Sequence, residues 1–465
     1  EPTKIALDEL QSKYPLLDFL VKKEVKTRRK LNPQKIFNLI SFVFIMTCII
    51  FYGYRFIKLY IENNKKEEVN TLATSIINKH QKDDNFQNVN GTYYFTGNTK
   101  QNYLTYSNLT WRIIRINHDK SITAIADNSL TALANGENRE FSDSYLHKWL
   151  NDSNEDYSGI LQKNLNNLSK YLTFTNTCND IIDDTKNISC KTTTNNSYIT
   201  VPSINDYVNT GSSDSFMNND ENFYLINNNS NNKIWYIDSE GKLNTSNGSD
   251  ILGIKPVITI KNTVNAISGN GSKEDPYIIE SEKGLFGSYV KIDNDIWRIY
   301  QVEEENIKLS LNSYLKIDNE EVTYKYSNNG YYHNDTISGT LAYYLKNNYL
   351  SQLNYNEYIN EVEYSNGIYG SSNNYDYTKT LATTIKTKVA TLSIGDVFLN
   401  PVVTNYYTST GISTTSNLMY VMQNDFRVYT KIATSNLKII PVISIKKTIL
   451  TKGNGSIENP YEVQL

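Results

Sequence analysis

The side chains able to do chemistry are few. The chain has four histidines, His80, His118, His147 and His333. None stands in an H-E-x-x-H pattern, and no G-x-S-x-G or Walker A phrase occurs. Gly248 and Gly253 are spaced as in a phosphate-binding loop, but Ile254 follows where that loop needs Lys. No catalytic residue is therefore assigned, and no cofactor is expected. Asp293-Asn294-Asp295 and Asn219-Asp220-Glu221 are rich in oxygen ligands, but each reads more simply as a turn than as a metal site.

Eleven residues separate Cys178 and Cys190, in a polar stretch without neighbouring histidines. Two cysteines are too few for a zinc site. In an oxidising compartment they suit a disulfide, which over so short a loop contributes roughly 3 kcal/mol. The third cysteine, Cys48, sits in an apolar run. Trp111, Trp149, Trp235 and Trp297 fall within strand or helix patterns and are expected in cores rather than against a ligand. Arg112 and Arg298, each next to a tryptophan, would point to the opposite face, toward an acidic partner.

These residues are arranged around one stretch, Ile36 to Ile57. It carries no charge from Ile36 to Tyr54 and has no polar face. As a helix those residues would span roughly 28 Å, about the hydrocarbon thickness of a bilayer. Seven Lys and Arg residues lie between Lys22 and Lys35, whereas the other flank mixes Lys with Glu. That asymmetry puts the N-terminal tail in the cytoplasm and the bulk of the chain outside the cell membrane. A cleaved signal peptide would have a shorter head and small residues at a cut site, and neither is present. The chain begins at Glu1 rather than Met, as a trimmed chain would.

The expected organisation is a cytoplasmic tail 1–35, a transmembrane helix 36–57, a helical stalk 58–87 through which the chain could oligomerise, and extracellular domains 88–280 and 284–465. A net charge of −3 over 465 residues leaves no footprint for nucleic acid. The 37 tyrosines and abundant Asn suit recognition surfaces. They also follow from AT-rich codon usage.

The two domains are read from an internal repeat with a period of about 185 residues. Trp111-Arg112-Ile113 is matched by Trp297-Arg298-Ile299, Ser203-Ile204-Asn205-Asp206 by Ser393-Ile394-Gly395-Asp396, and Pro256-Val257-Ile258 by Pro441-Val442-Ile443. Gly269-Asn270-Gly271-Ser272 with Pro276-Tyr277 is matched by Gly453-Asn454-Gly455-Ser456 with Pro460-Tyr461. Each copy is expected to open with strands and a hairpin, continue through a short helix around 144–151 in the first copy, and close with a strand pair, 233–238 and 254–261. The G-N-G-S segment reads as a turn-rich exit, and 280–284 as a charged linker.

The order Trp-Arg-Ile, Ser144-Tyr145-Leu146 to Trp149-Leu150-Asn151, Val201 to Asp206, Trp235 to Gly241 and Lys255 to Ile260 resembles an uncharacterised domain of bacterial surface proteins. Such domains are similar to the C-type-lectin-like and formylglycine-generating-enzyme-like folds. The segment Gly269 to Ile279 resembles a phrase that ends many bacterial surface repeats. The resemblance covers 91–280 and 284–465. It implies an α+β fold: two tandem, mainly antiparallel-sheet domains of C-type-lectin-like type with short helices. The calcium-binding E-P-N or Q-P-D phrase of sugar-binding lectins is absent from both copies, and the reactive cysteine pair of the enzyme branch is not matched. Neither activity is carried over.

The expected function is surface display or adhesion, with an extracellular protein or glycan bound by a face built from inserts 152–200, 205–232 and 361–390. The alternative is a cell-envelope hydrolase or transferase with its site in those inserts. The lack of a repeated acid, base or nucleophile favours binding over catalysis.

Overall fold

A computed structural model describes residues 33–64, 71–136, 140–152, 158–178, 180–185, 188, 191–194, 196–328, 335–366, 384–399, 405–411, 417–422 and 428–464. The chain forms two compact units, Glu1–Val69 and Asn70–Leu465.

In the smaller unit one helix runs from Pro33 to Asn64. Its segment Phe37–Phe56 is long and apolar enough to cross a membrane. Phe37, Phe44, Ile50 and Phe56 are all exposed among the described residues. A bilayer would cover them.

The larger unit has mixed sheets and few short helices, an α+β architecture. Of the stalk expected at 58–87, residues 65–70 lie outside the described residues. The helix Leu72–His80 buries Leu72, Ala73, Ile76 and His80, and the Leu72 N–H donates to Val264 O at 3.0 Å. Leu72 and Ile76, within the expected stalk, belong to a core.

Up to about residue 280 the central sheet runs Phe86–Val89, Thr92–Phe95, Leu109–Ile116, Ile122–Ala126, Val257–Ile260, Ile199–Thr200. Tyr103–Tyr106 also pairs with Leu109–Ile116. A second sheet runs Leu243–Ser246, Ile234–Ile237, Phe223–Asn228, Leu252–Ile254, Thr131–Leu133.

In the remainder the corresponding sheets are Val389–Thr391, Pro441–Lys446, Asn306–Leu311, Asp295–Val302, Tyr289–Ile292, Tyr461–Glu462, and Thr323–Lys325, Asn436–Lys438, Tyr406–Gly411, Leu418–Met422, Val428–Ile432. Among the described residues no strand of one half pairs with a strand of the other. The halves nevertheless touch. Asn108 Nδ2 donates to Phe286 O and Ser288 Oγ, both at 3.1 Å, and the Val302 N–H donates to Asn164 Oδ1 at 2.8 Å.

Three sequence expectations are corrected here. Ile234–Ile237 does not pair with Val257–Ile260. It pairs with Phe223–Asn228 and Leu243–Ser246, while Val257–Ile260 pairs with Ile122–Ala126 in the other sheet. The chain changes sheet at Lys255-Pro256, where proline needs no ladder hydrogen bond.

The G-N-G-S segments are not exits. Tyr277–Ile278 returns to pair in parallel with Tyr103–Tyr106, and Tyr461–Glu462 with Tyr289–Ile292. Gly269 and Gly453 make the turn at φ +93° and +98°, where a Cβ would lie 1.9 Å from Pro276 O and 2.1 Å from Pro460 O. Only glycine fits such a site.

Glu280, read as part of a charged linker, is buried. Its carboxylate accepts from the Ser107 N–H at 2.5 Å and Asn166 Nδ2 at 2.8 Å. Burial raises its pKa against those two hydrogen bonds.

Trp111, Trp149 and Trp297 are fully buried, whereas Trp235 is half-buried and donates to Ile182 O at 2.9 Å. Pro256 immediately precedes the strand Val257–Ile260, and Pro441 is the first residue of Pro441–Lys446.

Candidate functional site

A cavity of about 390 Å³ opens where the two halves meet. That lies within the roughly 300–1,000 Å³ of typical small-molecule sites. The hairpin Asp295–Val302/Asn306–Leu311 supplies Tyr300, Gln301, Glu303 and Lys308. Its ladder is irregular between Ile299 and Gln301, and such a bulge re-aims side chains. Thr391 ends a strand, and Asp396 opens the 3-10 turn Asp396–Leu399. The hairpin Val362–Ser365/Thr384–Thr387 adds Glu363, Tyr364, Ser365 and Thr384. The first half contributes Ser158, Ile160, Lys163 and Asn164.

Lys308 is the electrostatic centre. Its side chain is 11 % exposed, and its ammonium lies 3.0 Å from Glu303 Oε1. It donates to Glu363 O at 3.2 Å and sits 5.3 Å from the centre of the Tyr364 ring. Asp396 accepts from Ser393 Oγ at 2.5 Å. Burial raises the Asp396 pKa, while that hydrogen bond and the charge of Lys308 oppose the rise. The Tyr300 phenol is held well above its ordinary value by burial and then by the charge of Asp396. Burial, then Glu303, does the same to Tyr364. Both phenols therefore stay neutral. Tyr364 Oη and Thr391 Oγ1 are buried without a hydrogen-bond partner among the described residues. Unpaired buried hydroxyls are costly, so these two stand out in the wall of the cavity.

The first half has a Ser-x-x-Asp contact of the same kind. Ser203 and Asp206 form a reciprocal capping box on the helix Ile204–Asn209, as Ser393 pairs with Asp396 in the second half. In the first half Arg115 Nη1 pairs with Asp206. Arg115 stands opposite Thr123 in its hairpin, and Gln301 stands opposite Lys308 in the other. The buried cation of the first half thus lies on the first strand of its hairpin and that of the second half on the second strand, a flexible Lys where the first has a planar Arg fork.

Inserts 152–200 and 361–390 both line the cavity, whereas 205–232 does not. Residues 367–383 lie outside the described residues, as do Cys190 and His333. Cys178 is disulfide-bonded and Cys48 is free. Among the described residues no group of three His, Cys, Asp or Glu side chains could hold a metal ion.

His147 Nε2 lies 2.8 Å from Ser197 Oγ, and burial holds its pKa below the ordinary value, only partly offset by Asp143. Ser197 is 5 % exposed and also donates to Asn196 Oδ1 at 3.3 Å, so this pair is a buried polar contact rather than an accessible nucleophile.

Arg112, expected to meet an acid, lies 3.3 Å from Asp127 and donates to Asn102 Oδ1 at 2.7 Å. Burial lowers the Arg298 pKa, with the adjacent Tyr289 opposing.

Sequence reasoning singled out none of Glu303, Lys308, Tyr364 and Asp396 as site residues. The legible signal was the repeated Ser-Ile-x-Asp phrase, in which the cation facing Asp396 is not where the first copy has its arginine. No protein-family model, curated protein or solved structure matches this chain.

Proposed function

We propose that this chain is a single-pass surface protein of a bacterial cell membrane whose larger unit binds a small, polyhydroxylated ligand of glycan type outside the cell. The cavity carries this reading. It gathers Lys163, Glu303, Lys308, Glu363 and Asp396 with Ser, Thr, Asn, Gln and Tyr side chains, and among its described lining residues only Ile160 is aliphatic. Such a lining suits a ligand with many hydroxyls better than an apolar one.

The reading includes a tandem duplication of a C-type-lectin-like domain. The matching strand orders of the two halves and their matching parallel returns support the duplication; the lectin-like relation rests on the motif order.

Lys308→Met should weaken glycan binding by the full chain about tenfold or more, as expected for losing a charged hydrogen bond, in calorimetric titration of glycans found by array screening. Equal affinity in the variant, or no glycan bound by the wild type, would reject this site.

The orientation rests on the Lys/Arg asymmetry around the helix. Protease added to intact cells should remove residues 91–465, and their protection would reverse the proposed topology.

A further inference from the structure

Lys255, where the first half changes sheet, is a buried amine that the cavity does not use. Its side chain is 1 % exposed. The Nζ donates to Met217 O at 2.9 Å and to Asn219 Oδ1, and lies 4.6 Å from the centre of the Phe223 ring. Glu221 Oε2 is 3.8 Å from it.

The partner groups are held in turn. Asn219 Nδ2 donates to Asp127 O at 3.2 Å and Asn128 Oδ1 at 3.0 Å, and Glu221 Oε2 accepts from the Ser129 N–H at 2.9 Å. The sequence reading of 219–221 as a simple turn misses this arrangement.

The fold does not require a cation here. The residue before the closing proline of the second half is Ile440, which is fully buried. A lysine stripped of water in this way can act as an amine nucleophile, although the carboxylate and the ring beside it favour its charged form. Burial, helped by the charge of Arg112, outweighs Glu221 and Asp127 and brings the Lys255 amine down to about 8. At pH 7 about a tenth of such an amine is neutral, against well under a hundredth of an ordinary lysine.

We propose that Lys255 and Asn219 join in an intramolecular amide. The neutral Nζ attacks Asn219 Cγ, whose carboxamide is fixed at both ends. Glu221 takes the proton that the attacking nitrogen loses and delivers it to Asn219 Nδ2. The Cγ–Nδ2 bond breaks, ammonia leaves, and a Cγ–Nζ amide remains. Atoms and charge balance without an oxidant or any co-reactant. The step is favoured by proximity, because nucleophile, electrophile and proton carrier are positioned by one fold. The product would tie the segment 217–221 to the sheet crossing at Lys255 and remove a buried charge.

The test is the intact mass of the full-length protein after reduction of its disulfide, followed by peptide mapping. The wild type should weigh one ammonia less than its sequence, and fragmentation should yield a branched peptide joining Lys255 to Asn219. Glu221→Gln and Lys255→Arg should each keep the full mass. Asn219→Asp should still link, more slowly, with loss of water in place of ammonia. A wild type of full mass, or an ammonia loss that maps to Asn270-Gly271 or Asn454-Gly455 instead, would overturn the proposal.

Discussion

Arg115→Met is expected to destabilise the first half by about 3–5 kcal/mol, the cost of leaving a buried charge without its partner. Arg115 is buried between strand and helix. It pairs with Asp206, donates to Asn117 Oδ1 at 2.8 Å and donates to Asn176 O at 3.0 Å. Burial lowers its pKa, but a guanidinium stays charged at any ordinary pH. Asp206 cannot move away, because its other oxygen closes the capping box with Ser203.

Methionine fills much of the space yet supplies no donor. The double variant Arg115→Met/Asp206→Asn should recover part of the loss, since the asparagine still caps the helix without a stranded charge. Denaturant unfolding followed by tryptophan fluorescence measures both. A single variant within about 1 kcal/mol of wild type would mean that water already compensates Asp206, and that the pair is worth no more than a surface ion pair.

Trp111→Ala is expected to cost about 3–5 kcal/mol, as for other large aromatic truncations in cores. Trp111 is fully buried between cross-strand neighbours Leu104 and Ala126, and its Nε1–H donates to Tyr106 O at 2.9 Å. Alanine leaves both a void and an unpaired carbonyl. Trp111→Phe keeps most of the packing and should lose less, about 1–3 kcal/mol for the missing hydrogen bond and ring.

Calorimetry of Trp111→Ala also reports on the halves. If each folds on its own sheets, one transition moves down and a second stays in place. If the contacts through Asn108 and Asn164 couple them, a single transition moves. An unshifted thermogram would show that Trp111 is not the keystone of its sheet.

Features that depend on neighbours in the chain were readable directly. The apolar run around 37–56 is a matter of composition, and its length alone matches a bilayer. The strands 109–116 and 122–126 flank an Asn-His-Asp-Lys turn, so their pairing followed from local pattern. The repeated Trp-Arg-Ile and Pro-Val-Ile phrases marked corresponding strands in the two halves, and these do occupy corresponding places in the two central sheets.

What went unread depends on residues far apart in sequence. Ile234–Ile237 and Val257–Ile260 look like one hairpin, yet they lie in different sheets. Adjacency favours a hairpin, and only the competing partners Phe223–Asn228 and Ile122–Ala126 reveal the crossing. The parallel return of Tyr277–Ile278 to Tyr103–Tyr106 spans more than a hundred and sixty residues, and no local periodicity encodes such a pairing. A helix was expected at Leu72 to His80 as part of the stalk, but whether its apolar residues faced water, another stalk or a core was decided by Val264 and the strands around it.

The cavity shows the same division. Lys308, Glu303, Asp396 and Tyr364 are ordinary residues on ordinary elements, and a side chain of the first half, Lys163, completes the wall. Charge, burial and vacancy are properties of the assembled surroundings, so tertiary structure alone made these groups a site.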